Sequence, residues 1–301
     1  IIPVRANGGN YRLLVSSNAA CARIHLTEKQ YENPETPPVF CMLLRKHLSG
    51  GIIKGFYTDG FERIITMEAE VTDELGDRST KKLVTEIMGR HSNIILLNKD
   101  DKIIDAIKHV DFEVNRVREL LPARTYVLPP AQNKSDPGDP GTYELLMREA
   151  PSCSRKTESF LLDRLNGFSP VLCREICFRA GVDSDKPASV LDPDELKHIV
   201  DELDQFMNGL KKNGPSPVII FDDSTGKVVD FHCINLTQYR SVKNFDLISR
   251  AIDTFYNLKN NKEFNSQQTV NLQKHVSRHL EKCEKRLDIN LRTYEENKGY
   301  E

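Results

Sequence analysis

The 301-residue sequence predicts an α+β fold, a strand-rich N-domain interrupted by an all-helical insert. Three observations carry that reading. Strand and helix signals alternate through residues 1–128. A proline- and glycine-rich linker, residues 129–141, then gives way to purely helical periodicity from Thr142 to Lys212. Strand signals return at Val218–Phe221 and Val228–Ile234, after Gly214-Pro215-Ser216-Pro217 has stopped the helix. A lone hairpin is marginal in water, so the returning strands are expected to complete the first sheet.

Taken in order, Ile1–Arg5 and Tyr11–Ser16 flank Asn7-Gly8-Gly9-Asn10, a hairpin signature. Asn33-Pro34 and Pro37-Pro38 mark a loop. Val39–Leu48 carries apolar residues at helical spacing and ends at Gly50-Gly51. Ile52–Tyr57 and Arg63–Val71 read as strands, and Ser79–Met88 as a short helix ending at Gly89. Asn93–Leu97 and Ile103–Ile107 read as strands around the turn Asn98–Lys102, and Asp222–Lys227 as a second hairpin loop. From Asn261 onward Leu272, Val276, Leu280, Cys283, Leu287, Leu291 and Tyr294 recur at steps of three and four, the stripe of a long amphipathic helix that needs a partner. The expected organisation is an N-domain in two parts, 1–135 and 215–258, around a helical module at 142–213, with the start of a coiled coil at 261–301.

Charged residues make up 29% and apolar residues 39% of the chain, and the formal net charge is −2. A protein so balanced does not coat polyanions indiscriminately. Nucleic-acid binding, if present, needs a local cationic patch. No apolar run is long enough to span a membrane and no signal-peptide pattern is visible. The opening Ile1-Ile2-Pro3-Val4 reads as mid-strand, as if an N-terminal segment preceded it. Seven cysteines, scattered singly, fit reduced thiols and a cytosolic compartment. Cys173 and Cys177 stand one helical turn apart with no second ligand pair, so buried small hydrophobes are preferred to a metal site.

Within the insert, Leu165-Asn166-Gly167-Phe168-Ser169-Pro170 places a glycine turn before a helix that Ser169 can cap and Pro170 can begin. This is a helix-hairpin-helix pattern. It is open to two readings, a phosphate-binding turn or a plain packing module. Cations and amides cluster in Met88-Gly89-Arg90-His91-Ser92-Asn93, and again at Lys108-His109 with Asn115-Arg116-Val117-Arg118. Such groups at strand and helix ends suit phosphate and base-edge contacts, although from the residues alone the preferred reading has Arg90 and Arg116 bridging carbonyls and carboxylates within the fold. His275 and His279 alternate with charged residues on the terminal helix and read as a solvated face. No nucleophile elbow, P-loop, dinucleotide fingerprint or zinc-protease motif occurs. No enzyme activity, metal or cofactor is expected.

Longer strings resemble a known family: Ala22-Arg23-Ile24-His25-Leu26-Thr27, Tyr31-Glu32-Asn33-Pro34, Pro37 to His47, Glu86 to Ile95, and Leu121-Pro122 with Tyr126 and Pro129-Pro130. Together they resemble the N-terminal region of the RqcH or fibronectin-binding protein A family, the NFACT proteins, whose eukaryotic relative is the nuclear export mediator factor NEMF. The resemblance implies an N-domain similar to that of formamidopyrimidine-DNA glycosylases, interrupted by a helix-hairpin-helix module and followed by a coiled coil and a further domain. It implies a cytoplasmic, ribosome-associated factor that binds obstructed 50S subunits carrying stalled peptidyl-tRNA. Such a factor recruits alanyl-tRNA for untemplated alanine tailing, while peptidyl transfer itself stays with the ribosome.

The family's Asp-Arg pair tied to tRNA handling maps onto Glu62-Arg63 in Gly60-Phe61-Glu62-Arg63-Ile64-Ile65, with Glu in place of Asp. The literal pair Asp77-Arg78 lies in a turn before the expected helix and reads as a decoy. The expected tRNA-binding residues are Glu62, Arg63, Arg90, His91 and Lys108. The family's older name implies the alternative of a cell-surface adhesin that binds fibronectin, against which the lack of a visible leader or anchor counts. A DNA glycosylase would need an N-terminal nucleophile and a zinc finger, and the chain displays neither a suitable first residue nor a Cys-x-x-Cys pair.

Overall fold

The computed structural model describes residues 1–72, 76–113 and 115–259, with a few separate positions beyond 275. The expected coiled coil and the pair His275 and His279 therefore lie outside the described residues, apart from those few positions.

The chain begins with the expected hairpin. β1 (Ile2–Ala6) and β2 (Gly9–Ser16) pair antiparallel from Ile2↔Leu13 to Ala6↔Gly9. Asn7 and Gly8 make the turn at φ 48° and 75°, the doubly left-handed geometry that matches the twist of a two-residue hairpin. β3 (Arg23–Leu26), which the sequence pattern does not announce, adds to β2 and completes a three-stranded sheet. α1 (Val39–Leu48) has the expected bounds, with Arg45 and Lys46 in its last turn, where cations complement the helix dipole.

Five strands then form an antiparallel meander in chain order: β4 (Ile52–Thr58), β5 (Ile64–Thr72), β6 (Arg78–Glu86), β7 (Asn93–Leu97) and β8 (Ile103–Ala106). β6 corrects the helix expected over Ser79–Met88, and with it the placing of Asp77-Arg78 before a helix. The physical reason is pairing. β6 sits between β5, which it matches over nine residues from Ile64↔Glu86 to Thr72↔Arg78, and β7. Its side chains go alternately to two different cores, Leu83 to one and Val84 to the other. Tertiary pairing outweighs the local pattern.

Every residue of β7 is buried. Ile94 and Leu96 pack with Leu13 and α1, whereas Ile95 and Leu97 pack with Val110, Leu120 and Tyr126. A strand covered on both faces reads as an unbroken apolar run, here Ile94-Ile95-Leu96-Leu97.

The insert is helical. α2 (Pro140–Glu149) is capped by Asp139, which accepts from Gly141 N–H, and carries Pro140 at its first position. α3 (Thr157–Arg164) leads through the Gly167 turn to α4 (Pro170–Ala180), which Ser169 caps at 3.3 Å through Leu172 N–H. α5 (Pro193–Asn213) starts on a full capping box between Asp192 and Glu195. Phe160, Leu161, Leu165, Ile176, Ile199 and Leu203 form a fully buried apolar centre, and Cys173 and Cys177 lie in it as buried small residues.

The returning strands do not complete the first sheet. β9 (Val218–Phe221) lies between β10 (Val228–His232) and β11 (Val242–Asn244) in a separate three-stranded sheet. Burial on both sides explains the independence. Ile220 faces the helical core, and Ile219 faces Ala251 and Phe255 on a helix over residues 248–259, here α6. The third strand and α6 cover what a lone hairpin would leave exposed.

A buried carboxylate ties this sheet's extension to the insert. Glu175 of α4 accepts from Thr237 N–H and Oγ1 at 2.7 Å each, from Gln238 N–H at 3.0 Å and from Arg179 Nε at 2.7 Å. Burial pushes its carboxyl up, but these bonds prevail and hold it below the usual range.

The two halves of the molecule meet at Asp253 of α6. It accepts from His25 Nε2 at 2.9 Å, Thr27 Oγ1 at 2.9 Å and Glu28 N–H at 3.1 Å, while the Arg23 guanidinium lies 4.0 Å over the Tyr256 ring.

Candidate nucleic-acid interface

Gly89–His91 forms a single 3-10 turn between β6 and β7, with Gly89 at φ 54°. A buried polar scaffold holds it. Met88 N–H donates to Ser92 Oγ at 2.8 Å. Asn93 Oδ1 accepts from Ile94 N–H at 2.9 Å and Lys108 N–H at 3.1 Å, and its Nδ2 donates to Lys108 O at 2.8 Å. With Ser92 and Asn93 turned inward, Arg90 and His91 remain exposed side by side, Arg90 Nε lying 2.9 Å from His91 Nε2.

Beneath the turn lies an ion pair. Glu86, the last residue of β6, is fully buried and receives Arg118 Nη1 at 2.7 Å, Arg118 Nη2 at 2.6 Å and Tyr126 Oη at 2.8 Å. Burial lowers the Arg118 guanidinium, but Glu86 outweighs that effect and raises it above its ordinary value. Burial against Glu86 also drives the Tyr126 phenol far up, so it stays a donor. Among the described residues the bridging role expected of Arg90 and Arg116 thus falls to Arg118.

Glu62 and Arg63 lie at the entry to β5. Glu62 N–H closes a turn on Asp59 O at 2.9 Å, and Arg63 O accepts from Ile87 N–H at 2.9 Å. That second bond sets the 59–63 turn beside the 88–91 turn, so Arg63 comes to the same end of the five-stranded sheet as Arg90 and His91. Arg63 is exposed, and neither Arg63 nor Arg90 forms an ion pair among the described residues.

Lys108 is placed differently. Its ammonium donates to Ser92 O at 2.7 Å and Ser17 O at 2.8 Å, joining the first sheet to the turn. The turn of the insert also meets this region. Gly167 has φ 74°, and a Cβ there would lie 2.6 Å from Phe61 Cβ and 2.8 Å from its Cγ and Cδ1. The Gly167 backbone therefore rests directly on the residue before Glu62.

The structure thus brings Glu62, Arg63, Arg90 and His91 into one neighbourhood, with Lys108 supporting it from below. Sequence reasoning did not single out Glu86, Arg118 and Tyr126 as a unit, nor Ser92 and Asn93 as inward anchors. The available signal was polar residues beside an unbroken apolar run, where an inward polar group must find partners. Among the described residues no group of His, Cys, Asp and Glu could hold a metal ion.

The profile of NFACT N-terminal and middle domains matches residues 1–301. The chain belongs to the NFACT family. Among curated relatives, the protein named Rqc2 homolog RqcH from Bacillus subtilis (strain 168) is 35% identical over 278 residues, covering 92% of this chain and 46% of the relative. The Rqc2 homolog RqcH of Streptococcus suis (strain 05ZYH33) is 30% identical over 291 residues, covering 95% and 47%. This NFACT chain therefore spans about half the length of those relatives. Among solved structures, the fibrinogen binding protein from Staphylococcus aureus superposes with TM-score 0.68 at 30% identity, covering 84% of this chain and 86% of that one. The N-terminal part of the fibronectin/fibrinogen-binding protein from Streptococcus suis gives 0.65 at 29%, covering 85% and 86%. Among the described residues no helix is long and apolar enough to cross a membrane.

Proposed function

We propose that this NFACT chain is the RNA-facing part of a cytoplasmic ribosome quality-control factor. It binds obstructed 50S subunits that carry stalled peptidyl-tRNA and recruits alanyl-tRNA for untemplated alanine tailing. It performs no bond chemistry. Its contribution is to hold tRNA in place, which removes part of the entropic cost of bringing reactants together. The observation that carries this reading is the exposed group Arg63, Arg90 and His91, held by a buried scaffold in a chain whose net charge is −2. Glu62 stands beside Arg63 as a carboxylate able to accept from a ribose hydroxyl or a base amine. Lys108 acts by fixing the Arg90 turn.

Fluorescence anisotropy of labelled tRNA-Ala over a salt series tests the proposal, with a non-cognate tRNA, a DNA duplex and fibronectin as comparators. Each phosphate contact contributes roughly 0.7–0.9 to the log–log salt slope, so Arg63→Ala with Arg90→Ala should flatten it by about 1.5. An unchanged slope removes these residues from the interface. Fibronectin binding without a tRNA signal would favour the adhesin reading, which the names of the structural neighbours suggest.

A further inference from the structure

The Gly167 turn satisfies its neighbours in a way that a plain loop between helices does not require. On one side it is fixed to the insert. Asn166 N–H donates to Ser135 O at 2.9 Å, Ser135 N–H donates to Arg164 O at 2.8 Å, and Leu165 is fully buried in the helical core. On the other side its backbone lies in contact with Phe61, with no room for a single added carbon. Phe61 is itself on the tip of the 59–63 turn, where Gly60 has φ 51°. A turn of this kind between two strands, with Phe61 38% exposed, would ordinarily be free to move.

We propose that Phe61 and Gly167 form a positioning seam, in which the helical insert locks the 59–63 turn and so holds Arg63 in register with Arg90 and His91. This rests on the RNA-binding reading above and assigns the insert a part in it. The chain of support runs from the insert core through Leu165 and Asn166 to Gly167, from Gly167 to Phe61, and from Phe61 two residues on to Arg63. At its far end Arg63 O is already fixed by Ile87 N–H. Tip and exit of the turn are therefore both held, and only the Arg63 side chain is left to reorient. Glycine is needed at 167 twice over, because φ 74° disfavours a side chain and because a Cβ would displace Phe61.

The test uses the full 301-residue chain with two readouts. The first is tRNA affinity by anisotropy. The second, which needs no RNA, is the distance distribution between dyes carried by unnatural residues at exposed Asp59 and Lys197. Gly167→Val and Phe61→Gly should each weaken tRNA binding about tenfold and broaden the dye distribution. Because both break the same contact, the double variant should also lose about tenfold, not a hundredfold. Phe61→Tyr keeps Cβ, Cγ and Cδ1 and should bind as the unaltered chain does.

Wild-type affinity in both single variants overturns the seam, as does an additive loss in the double variant. A broadened distribution with full tRNA affinity overturns it too, because register would then not matter to binding. Should Gly167→Val fail to fold, Phe61→Gly decides. If the unaltered chain binds no tRNA, the RNA-binding reading fails, and the dye distances alone then decide whether the insert holds the turn.

Discussion

Replacing Arg118 by Met should destabilise the chain by about 3–5 kcal/mol, the range for removing one member of a buried ion pair. The structure sets that magnitude. The Arg118 side chain is 8% exposed and that of Glu86 is 0%, so the carboxylate has no water to turn to. Two of its three hydrogen bonds come from Arg118, at 2.7 and 2.6 Å, and Arg118 also serves Val127 O at 3.0 Å. Only the Tyr126 hydroxyl would remain on Glu86, at 2.8 Å. Domains of ordinary stability have about 5–15 kcal/mol in total, so the loss is a large fraction. Equilibrium urea unfolding measures it directly. The triple variant Arg118→Met, Glu86→Leu and Tyr126→Phe removes every polar member together and should recover most of the loss, since replacing a whole buried polar group by apolar ones is often neutral. A single-variant cost below about 1 kcal/mol would refute the reasoning, as would a triple variant no more stable than the single one. Glu86 lies three residues before Gly89, so the same substitution should weaken tRNA binding by letting the Arg90 turn shift.

Three further outcomes are expected. Burial holds the His25 imidazole below its ordinary 6.5 despite the bond to Asp253, so the unfolded chain binds a proton that the folded chain does not. Stability is then full above that ordinary value and falls as pH drops below it. His25→Gln should flatten urea midpoints between about pH 8 and about pH 5. A pH slope that survives the substitution would place its origin elsewhere. Glu175→Leu removes the acceptor of the Thr237 and Gln238 N–H groups, while Arg179 keeps Asn235 O, and should cost about 1–3 kcal/mol in the same assay. A loss under about 1 kcal/mol would argue against that network. Lys108→Met removes two charge-assisted bonds worth about 1.5–3 kcal/mol each at most. It should lower stability while leaving the tRNA salt slope unchanged, and a flattened slope would show that the ammonium meets phosphate directly.

Local signals in the sequence transferred well to the structure. The Asn7-Gly8 turn, the bounds of α1 and the loop at Asp222 each follow from a few adjacent residues, and each forms as read. The local signal misleads where the deciding partner is far away. The stretch 79–88 looks helical in isolation and becomes β6 because two neighbouring strands claim both of its edges. Similarly, β9 looks like a missing strand of the first sheet until α6 is known to cover its second face. The polar networks are the extreme case. His25 and Asp253 are 228 positions apart, and Glu175 meets Thr237 across 62, so no window on the chain contains both partners. At the candidate site the residue types were legible, but their division of labour was not. Arg63, Arg90 and Lys108 are all cations in loops, and only the carbonyls of Ser17 and Ser92 reveal that Lys108 faces inward.

Under the proposed function, that division bears on how a chain with 42 lysines and arginines against 44 aspartates and glutamates selects RNA. Fields of exposed charges fade within roughly 8 Å at physiological salt, so acidic surface farther than that from the cation cluster does not cancel it. A small cluster is weak, however, and cannot rely on number. Its discrimination has to come from where each cation points, which makes the rigidity of its supports decisive. The inward group beneath Arg90 and the insert beneath Arg63 supply that rigidity from two directions. Loosening either support should therefore reduce the preference for tRNA over a DNA duplex before it abolishes binding to polyanions. A variant such as Phe61→Gly that lost affinity for both in equal proportion would show that charge alone had governed the site.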